Sequence, residues 1–461
     1  LHIFATMFSP DTYQNRRKAL SETIEDGIIF LPGNIPVPMN YPSNHLRFRQ
    51  DSNFLYFCGL DFPNLNLVMD TGSGDSTLFG DDLTVDEIVW EGDRISIMEM
   101  AGLAGINHFR PNKDLSKHLK TKKQTIHYLP QYRADQKNLL DQLFNGKGSS
   151  KNLIQSVIHQ RSIKTEEEII EIDQGMVVTA EMHKLAMMLT RPGAKEQTIV
   201  GQIEGFALSY GRRLAYPVIF SVRGEILHNN EYNNTLESGQ LVLNDSGAES
   251  PMHYASDITR TFPVNGKFNK RQKAIYHIVN EMQFEEFNYC KPGKSYKDAH
   301  LKVASIAVEG LKSLGLMKGK VEDAVATGAH ALFFPHGLGH MMGLDVHDME
   351  GLGEDLVGYD DKKDRSDQFG LAYLRLAKEL EPGFVLTVEP GLYFIPHLID
   401  QWKADKKNND FINYDKLDSY RDFGGIRIED NIIITNEGYR ILGPPIPKTI
   451  DEIEALMEDN A

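Results

Sequence analysis

The sequence predicts an α/β protein in two parts: an amino-terminal mixed α/β domain over residues 1–150 and a larger α/β domain over residues 151–461. Three observations lead there. A chain of 461 residues exceeds one ordinary domain and suits two or three. The segment NGKGSSKN, residues 145–152, is rich in Gly, Ser and Lys and has no apolar periodicity, which reads as a linker. On both sides of it, helical patterns alternate with short apolar runs.

The elements follow in order. RRKALSETIED reads as a short amphipathic helix, and GIIFLPG as a strand between glycines. LNLVMD and STLFGDD read as further strands. After the linker, Thr165 and Glu168 in KTEEEIIEID have the spacing of a capping box and mark a helix start. That helix runs to about Leu189, before Pro192-Gly193, and a second begins near Ala194. RQKAIYHIVNEMQFEEFNYC is helical and closed by Lys291-Pro292-Gly293, and DAHLKVASIAVEGLKSLGL is helical to Gly315. Two polar segments, EDLVGYDDKKDRSDQFG and the stretch from Ile399 to Asp422, read as solvated loops or as the rim of a cleft.

Composition narrows the function. Hydrophobic residues are 41% and charged residues 25%, as in soluble globular proteins. A net charge of −16 opposes nucleic acid as a partner and gives no attraction to anionic lipid. No apolar run approaches the ~18 residues of a membrane span. Only Cys58 and Cys290 are present, with no metal-binding spacing, so a disulfide framework is not expected and a reducing cytoplasm is. The first residues, LHIFATMFSP, show no readable signal peptide and no initiator Met.

The chemistry concentrates in the second part. Asp245 closes the apolar run of LVLNDSGAES, and Asp257 lies in YASDITRTFPVNG. His340 lies in PHGLGHMMGLDVH, Glu389 in EPGFVLTVEPG and Glu429 in GGIRIEDNIIIT. Four carboxylates and one imidazole suit two hard or borderline divalent ions such as Mn²⁺. Two ions about 3.5–4 Å apart share a water, acidify it and clamp both ends of a hydrolytic displacement. If the runs around Asp245 and Asp257 pair antiparallel, their carboxylates face each other across the ladder. Period two puts Arg427 and Glu429 on one face and Ile426 and Ile428 in the core, so Arg427 is placed to orient a ligand carboxylate. Glu389, after an apolar run and before Pro390-Gly391, sits at a strand end. His336 and His340 are four apart, but Gly337 and Gly339 oppose a continuous helix and favour a turn that brings backbone close to the centre. Tyr393 is either a packed aromatic or a hydrogen-bonding partner of the site.

The segments DSGAE, SDITRTFPVNGKF, HGLGHMMGLDVHD, EPGFVLTVEPGLYF and GIRIEDNIII run in this order between about Thr165 and Pro447. Together they resemble the aminopeptidase P and prolidase family, whose catalytic domain has the pita-bread fold. FRQDSNFLYFCG, residues 48–59, resembles the amino-terminal domain of the same family. The resemblance implies hydrolysis of the peptide bond before proline by a hydroxide bridging a dinuclear site. The metal is usually manganese, with zinc or cobalt as alternatives. Asp245, Asp257, His340, Glu389 and Glu429 would be the ligands, and Glu389 would also move the proton. His336 and His347 match residues that line the substrate cleft, where they can donate hydrogen bonds to a carbonyl or oxyanion. His228, in RGEILHNN, matches a third cleft histidine less well, because Asn229 stands where an aromatic often follows. Arg375, in LAYLRLAKELEPG, matches a cleft position that meets a substrate carboxylate; otherwise it is a solvated helix face.

The family habit implies a homo-oligomer, most often a dimer with the amino-terminal domain near the partner's cleft. Proline-containing peptides are the expected substrates. Two activities share the five ligands. FRQDSNFLYFCG looks more like an Xaa-Pro aminopeptidase, whereas GLYFIPHLIDQWKADKKNNDF carries an insert seen in prolidases, the Xaa-Pro dipeptidases. A pita-bread binding module without catalysis is the third reading, and retention of all five ligands opposes it. A phosphoesterase would need basic residues around the cleft, and these acidic motifs offer few.

Overall fold

The computed structural model describes residues 7–25, 27–145, 149–360 and 364–458. Gly146, Lys147 and Gly148 of the expected linker, and the first six residues, lie outside the described residues. The chain forms two compact units, residues 1–161 with 349–353, and residues 162–348 with 354–461.

The first unit is built on a five-stranded sheet: β1 (Gly27–Pro32), β2 (Asn66–Asp70), β3 (Ser76–Phe79), β4 (His108–Arg110) and β5 (Thr125–Tyr128), in the order β4-β3-β2-β1-β5. β1 runs antiparallel to β2 and parallel to β5. Its core joins Phe30, Phe79, Tyr128 and Phe144, with the Tyr128 and Phe144 rings stacked at 4.7 Å. Helix Pro10–Ser21 starts nearly two turns before the segment read as helical, because Ser9 accepts from the Thr12 amide and Pro10 fits the first position. Helix Val85–Glu91 has a complete capping box but buries no residue: Val89 is 72% and Trp90 86% exposed.

The second unit carries long helices around three small sheets. Helix Glu166–Leu189 begins at the Thr165–Glu168 capping box read from the sequence. Helices Glu196–Ser209, Lys270–Tyr289 and Tyr296–Ser313 follow. The sheets are β6 (Ile219–Ser221) with β7 (Leu241–Asp245) and β8 (Thr259–Pro263), order β6-β7-β8; β9 (Val385–Val388) with β12 (Asp430–Ile434) and β13 (Tyr439–Ile441), order β13-β12-β9; and β10 (Gly391–Tyr393) with β11 (Gly425–Arg427). They are stitched together where the acids lie. The Glu429 amide donates to the Thr259 carbonyl (3.0 Å), and the Ile428 amide to that of Pro390 (3.3 Å). Buried Gln283, on helix Lys270–Tyr289, lies 3.2 Å from the carbonyls of both Val388 and Ile428, the residues just before Glu389 and Glu429.

Three local expectations change. β7 and β8 do pair antiparallel, but Asp245 faces Thr259 in the register, and Asp257 lies two residues before the ladder. The carboxylates meet beyond the strand end. The stretch from Ile399 to Asp422 is not a solvated loop: it forms helices Pro396–Ala404 and Tyr414–Leu417, burying Ile399, Trp402, Ile412, Tyr414 and Leu417. Apolar residues three apart within a polar stretch supply one narrow buried stripe. LAYLRLAKELEPG holds only the short turn Leu371–Tyr373, and Arg375 follows it in irregular chain, on no helix face.

Candidate metal centre and its cleft

All four acids sit at strand ends. Asp245 is the last residue of β7, Glu389 follows β9, Glu429 stands between β11 and β12, and Asp257 precedes β8. A strand end is where backbone pairing stops and a side chain can turn inward. Asp245, Asp257, His340 and Glu429 are 7%, 6%, 3% and 2% exposed. Asp257, His340 and Glu429 each offer a ligand atom within 4.8 Å of the others. The His340 Nε2 lies 3.4 Å from Asp257 Oδ2 and 3.6 Å from Glu389 Oε1. Its Nδ1 faces the Met341 carbonyl at 3.1 Å, which places the proton there and leaves Nε2 for the acids.

Gly339 makes this approach possible. A Cβ at that position would lie 2.1 Å from the Thr387 carbonyl oxygen. The glycine turn therefore lies flat on β9, with the Thr387 amide donating to the His340 carbonyl (3.0 Å) and the Glu389 amide to that of Leu338 (3.0 Å). As expected, no helix joins His336 to His340.

Arg427 is buried and branches between partners. Its Nη2 bonds Asp245 Oδ2, its Nε donates to Thr259 Oγ1 (3.0 Å) and its Nη1 to the Tyr393 hydroxyl (2.9 Å). Thr259 in turn donates to Glu429 Oε2 (2.7 Å), so one guanidinium orients two acids. Tyr393 is fully buried, and its hydroxyl lies 2.9 Å from His336 Nε2. The His336 Nδ1 donates to the Gly337 carbonyl (2.6 Å), so Nε2 accepts from Tyr393 and both ring nitrogens are engaged. Burial, then Arg427, lowers the His336 pKa to about 3, so the ring is neutral. His347 stacks on His340 with ring centroids 3.9 Å apart. His228 lies in a turn, not on a strand; burial and then Arg427 and Arg375 lower its pKa.

The site has residues that the sequence did not reveal. The Tyr216 hydroxyl lies 2.6 Å from Asp245 Oδ1 and 2.5 Å from Asp257 Oδ1. It precedes Pro217, and nothing in RRLAYPVIF marks it. Asn431 holds the Asp257 backbone at both its amide (2.9 Å) and its carbonyl (2.6 Å). Here a signal existed, since Asn431 continues the period-two face of Arg427 and Glu429.

The acids fit a cation cluster. Burial and then the neighbouring carboxylates Asp257, Glu389 and Asp245 raise the Glu429 pKa well above the ordinary range. Burial likewise raises Glu389, and pushes Asp245 up to about 7 against the pull of Arg427. For Asp257, burial raises and the His340 ring lowers; the balance falls below the ordinary value. Glu429 Oε1 has no hydrogen-bond partner among the described residues. Four clustered carboxylates, three of them buried and one with such an orphan oxygen, need positive charge between them.

The cluster opens on a cleft of about 850 Å³, whose wall includes Tyr216, His228, His336, His347, Arg375 and His397. Arg375 meets Glu354 at 3.3 Å. His397 comes from helix Pro396–Ala404, so that helical stretch also borders the cleft.

Comparison with known proteins agrees. Residues 171–436 match metallopeptidase family M24, and residues 13–127 match the aminopeptidase P N-terminal domain. The chain is 32% identical over 448 residues to a probable Xaa-Pro aminopeptidase of Fusarium vanettenii, covering 94% of this chain and 91% of that one. It is 32% identical over 445 residues to the Xaa-Pro dipeptidase of Homo sapiens, covering 93% and 88%. Zinc-substituted aminopeptidase P of Escherichia coli in complex with product superposes with a TM-score of 0.82 at 30% identity, covering 99% of each chain. Aminopeptidase PepP of Pseudomonas aeruginosa gives 0.83 at 29% identity, again covering 99% of each. A metal-dependent hydrolase is the class that this fold and site define. The chain belongs to metallopeptidase family M24, with the pita-bread catalytic domain and the aminopeptidase P type of amino-terminal domain.

Proposed function

We propose that this protein is an Xaa-Pro aminopeptidase, removing the residue before proline from the amino terminus of peptides. The observation that carries the reading is the meeting of Asp257, His340 and Glu429, with Asp245 and Glu389 beside them, on one cleft. Relatives named for Xaa-Pro cleavage support it. Asp245, Asp257, His340, Glu389 and Glu429 would hold two divalent ions, with Mn²⁺ preferred and Zn²⁺ or Co²⁺ as alternatives. Bound there, the ions supply Lewis acidity and a water acidified to near neutrality.

The side chains supply the rest. Glu389 would carry the proton between the attacking water and the leaving proline nitrogen. His347, stacked on His340 in the cleft wall, would donate to the developing oxyanion. His336 and Tyr393 act through Arg427, holding the acid-bearing strands in register. The nitrogen of an Xaa-Pro bond carries no N–H, so the cleft must recognise the ring by shape, with His228 and His336 in its wall.

The second reading is an Xaa-Pro dipeptidase. Arg375 in the cleft wall favours it, because a dipeptide carries its free carboxylate directly after proline. Xaa-Pro and Xaa-Pro-Yaa peptides assayed with added Mn²⁺ separate the readings. The aminopeptidase cleaves the tripeptide at least as well as the dipeptide; cleavage of dipeptides alone replaces it with the dipeptidase, and cleavage of neither overturns both.

We further assign residues 151–461 to the catalytic domain and residues 1–150 to assembly and the cleft rim of a cytoplasmic homodimer. The exposed helix with Val89 and Trp90 supports self-association. No described helix is long and apolar enough to cross a membrane. Light scattering at micromolar concentration should report twice the 52.1 kDa chain mass, and a monomer would remove this assignment.

A further inference from the structure

Besides Arg427, the cleft wall contains the guanidiniums of Arg365 and Arg375, and both meet one carboxylate, Glu354. Arg375 Nη1 lies 3.3 Å from Glu354 Oε2, and Arg365 Nη2 bonds Glu354 Oε1. Arg365 is fixed from other sides as well. Its Nε donates to Asp355 Oδ1 (2.7 Å), its Nη1 to the carbonyls of Ala372 (2.8 Å) and Leu374 (3.1 Å), and its guanidinium lies over the Tyr359 ring at 4.8 Å. Tyr359 is itself tied down, its hydroxyl donating to the Leu374 carbonyl at 2.8 Å. Arg365 is thus a rigid post that holds Glu354 against Arg375.

We propose that Glu354 is a specificity-determining residue that occupies, from within the chain, the place of a peptide's terminal carboxylate on Arg375. The inference rests on the Xaa-Pro peptidase reading and deepens it. An incoming dipeptide must bring its carboxylate beside Arg375, where Glu354 already neutralises the cation. Arg365 and Arg375 are balanced by Glu354 and Asp355, so this part of the wall offers a second anion no net positive charge. A longer peptide, or one with a blocked carboxyl end, carries a neutral amide at that point and meets no such competition. Glu354 is 36% and Arg375 35% exposed at the side chain, so the pair is wet and displaceable. The result is a bias against dipeptides, not exclusion.

The test compares an Xaa-Pro dipeptide with its carboxyl-terminal amide, which changes charge without changing length. In Glu354→Gln, the KM ratio of acid to amide should fall about fivefold, the upper end for one partly exposed ion pair, with kcat for the acid within about twofold. The dissociation constants of the two peptides on ion-free protein, measured by calorimetry, should shift in the same ratio and do not depend on turnover. Glu354→Asp keeps the charge but withdraws it by one methylene, and should move the ratio the same way by less. In an Arg375→Ala background, Glu354→Gln should leave the ratio where Arg375→Ala put it. An unchanged ratio in an active, folded Glu354→Gln protein overturns the inference, as does a full shift without Arg375. Failure of the wild type to cleave either peptide overturns the peptidase reading itself.

Discussion

Arg427 and Tyr216 divide the ordering of the acids between them. The guanidinium fixes Asp245 directly and Glu429 through Thr259, while the Tyr216 hydroxyl sits between Asp245 and Asp257. Two stacked histidines beside them should behave differently. His340→Ala removes a proposed ligand, so bound ion measured by atomic absorption should fall with activity. His347→Ala should keep its ion and lose about 10²–10³ in kcat, the usual loss of one oxyanion donor. Equal ion loss in both would reverse the roles. The sequence exposed the acids because each interrupts an apolar run, which a surface residue has no reason to do. It hid Tyr216, whose ring reads as core, and Glu354, whose polar surroundings read as solvent. The role of those two comes from partners distant in the chain, and periodicity reports only neighbours.

Each element contributes an end. β7, β9 and β11 stop where an acid must turn inward, and the Gly337–Gly339 turn lies against β9 closely enough to bring His340 into reach. Gly339→Ala should therefore cost about 3 kcal/mol or more, since the new methyl would press on the Thr387 carbonyl oxygen at 2.1 Å and the buried Tyr296 hydroxyl at 2.7 Å. Urea unfolding reads that loss, and ion affinity should fall with it because His340 moves; a neutral substitution would mean the turn has slack. The long helices were legible from caps and breakers, as at Thr165 and Gly315. The helices within Ile399–Asp422 were not, because their buried stripe is one or two residues wide and the surrounding charges dominate any window. The strand signal at Asp257 was right in type but displaced: Tyr216 holds the carboxylate and Asn431 the backbone of that residue, in place of cross-strand pairing.

Over the whole molecule, buried histidines set a pH limit separate from the metal site. The rings of His300 and His330 are 0% exposed, 6.0 Å apart, and their four nitrogens have no hydrogen-bond partner among the described residues. Burial lowers the His330 pKa to about 4 from 6.5, and lowers His300 well below its ordinary value. The unfolded chain therefore takes up these protons first, and the stability tied to the neutral rings is lost as pH falls from 6.5 toward 4. Each ring can cost up to about 1.4 kcal/mol per pH unit in that window. His330→Phe should flatten the decline, so its unfolding free energy should gain on the wild type between pH 7 and pH 5. A difference that does not change with pH would place the titration elsewhere.

The ligand candidates span Asp245 to Glu429, more than half of the second unit, and no short peptide holds even three of the five. The site therefore exists only in the folded chain, and ion binding and folding are one linked equilibrium. A melting curve then doubles as a titration. Free ion at 100 times its dissociation constant should add about 2.7 kcal/mol, and a chelator should take it away. A midpoint that ignores both would mean that the acids hold no ion at all.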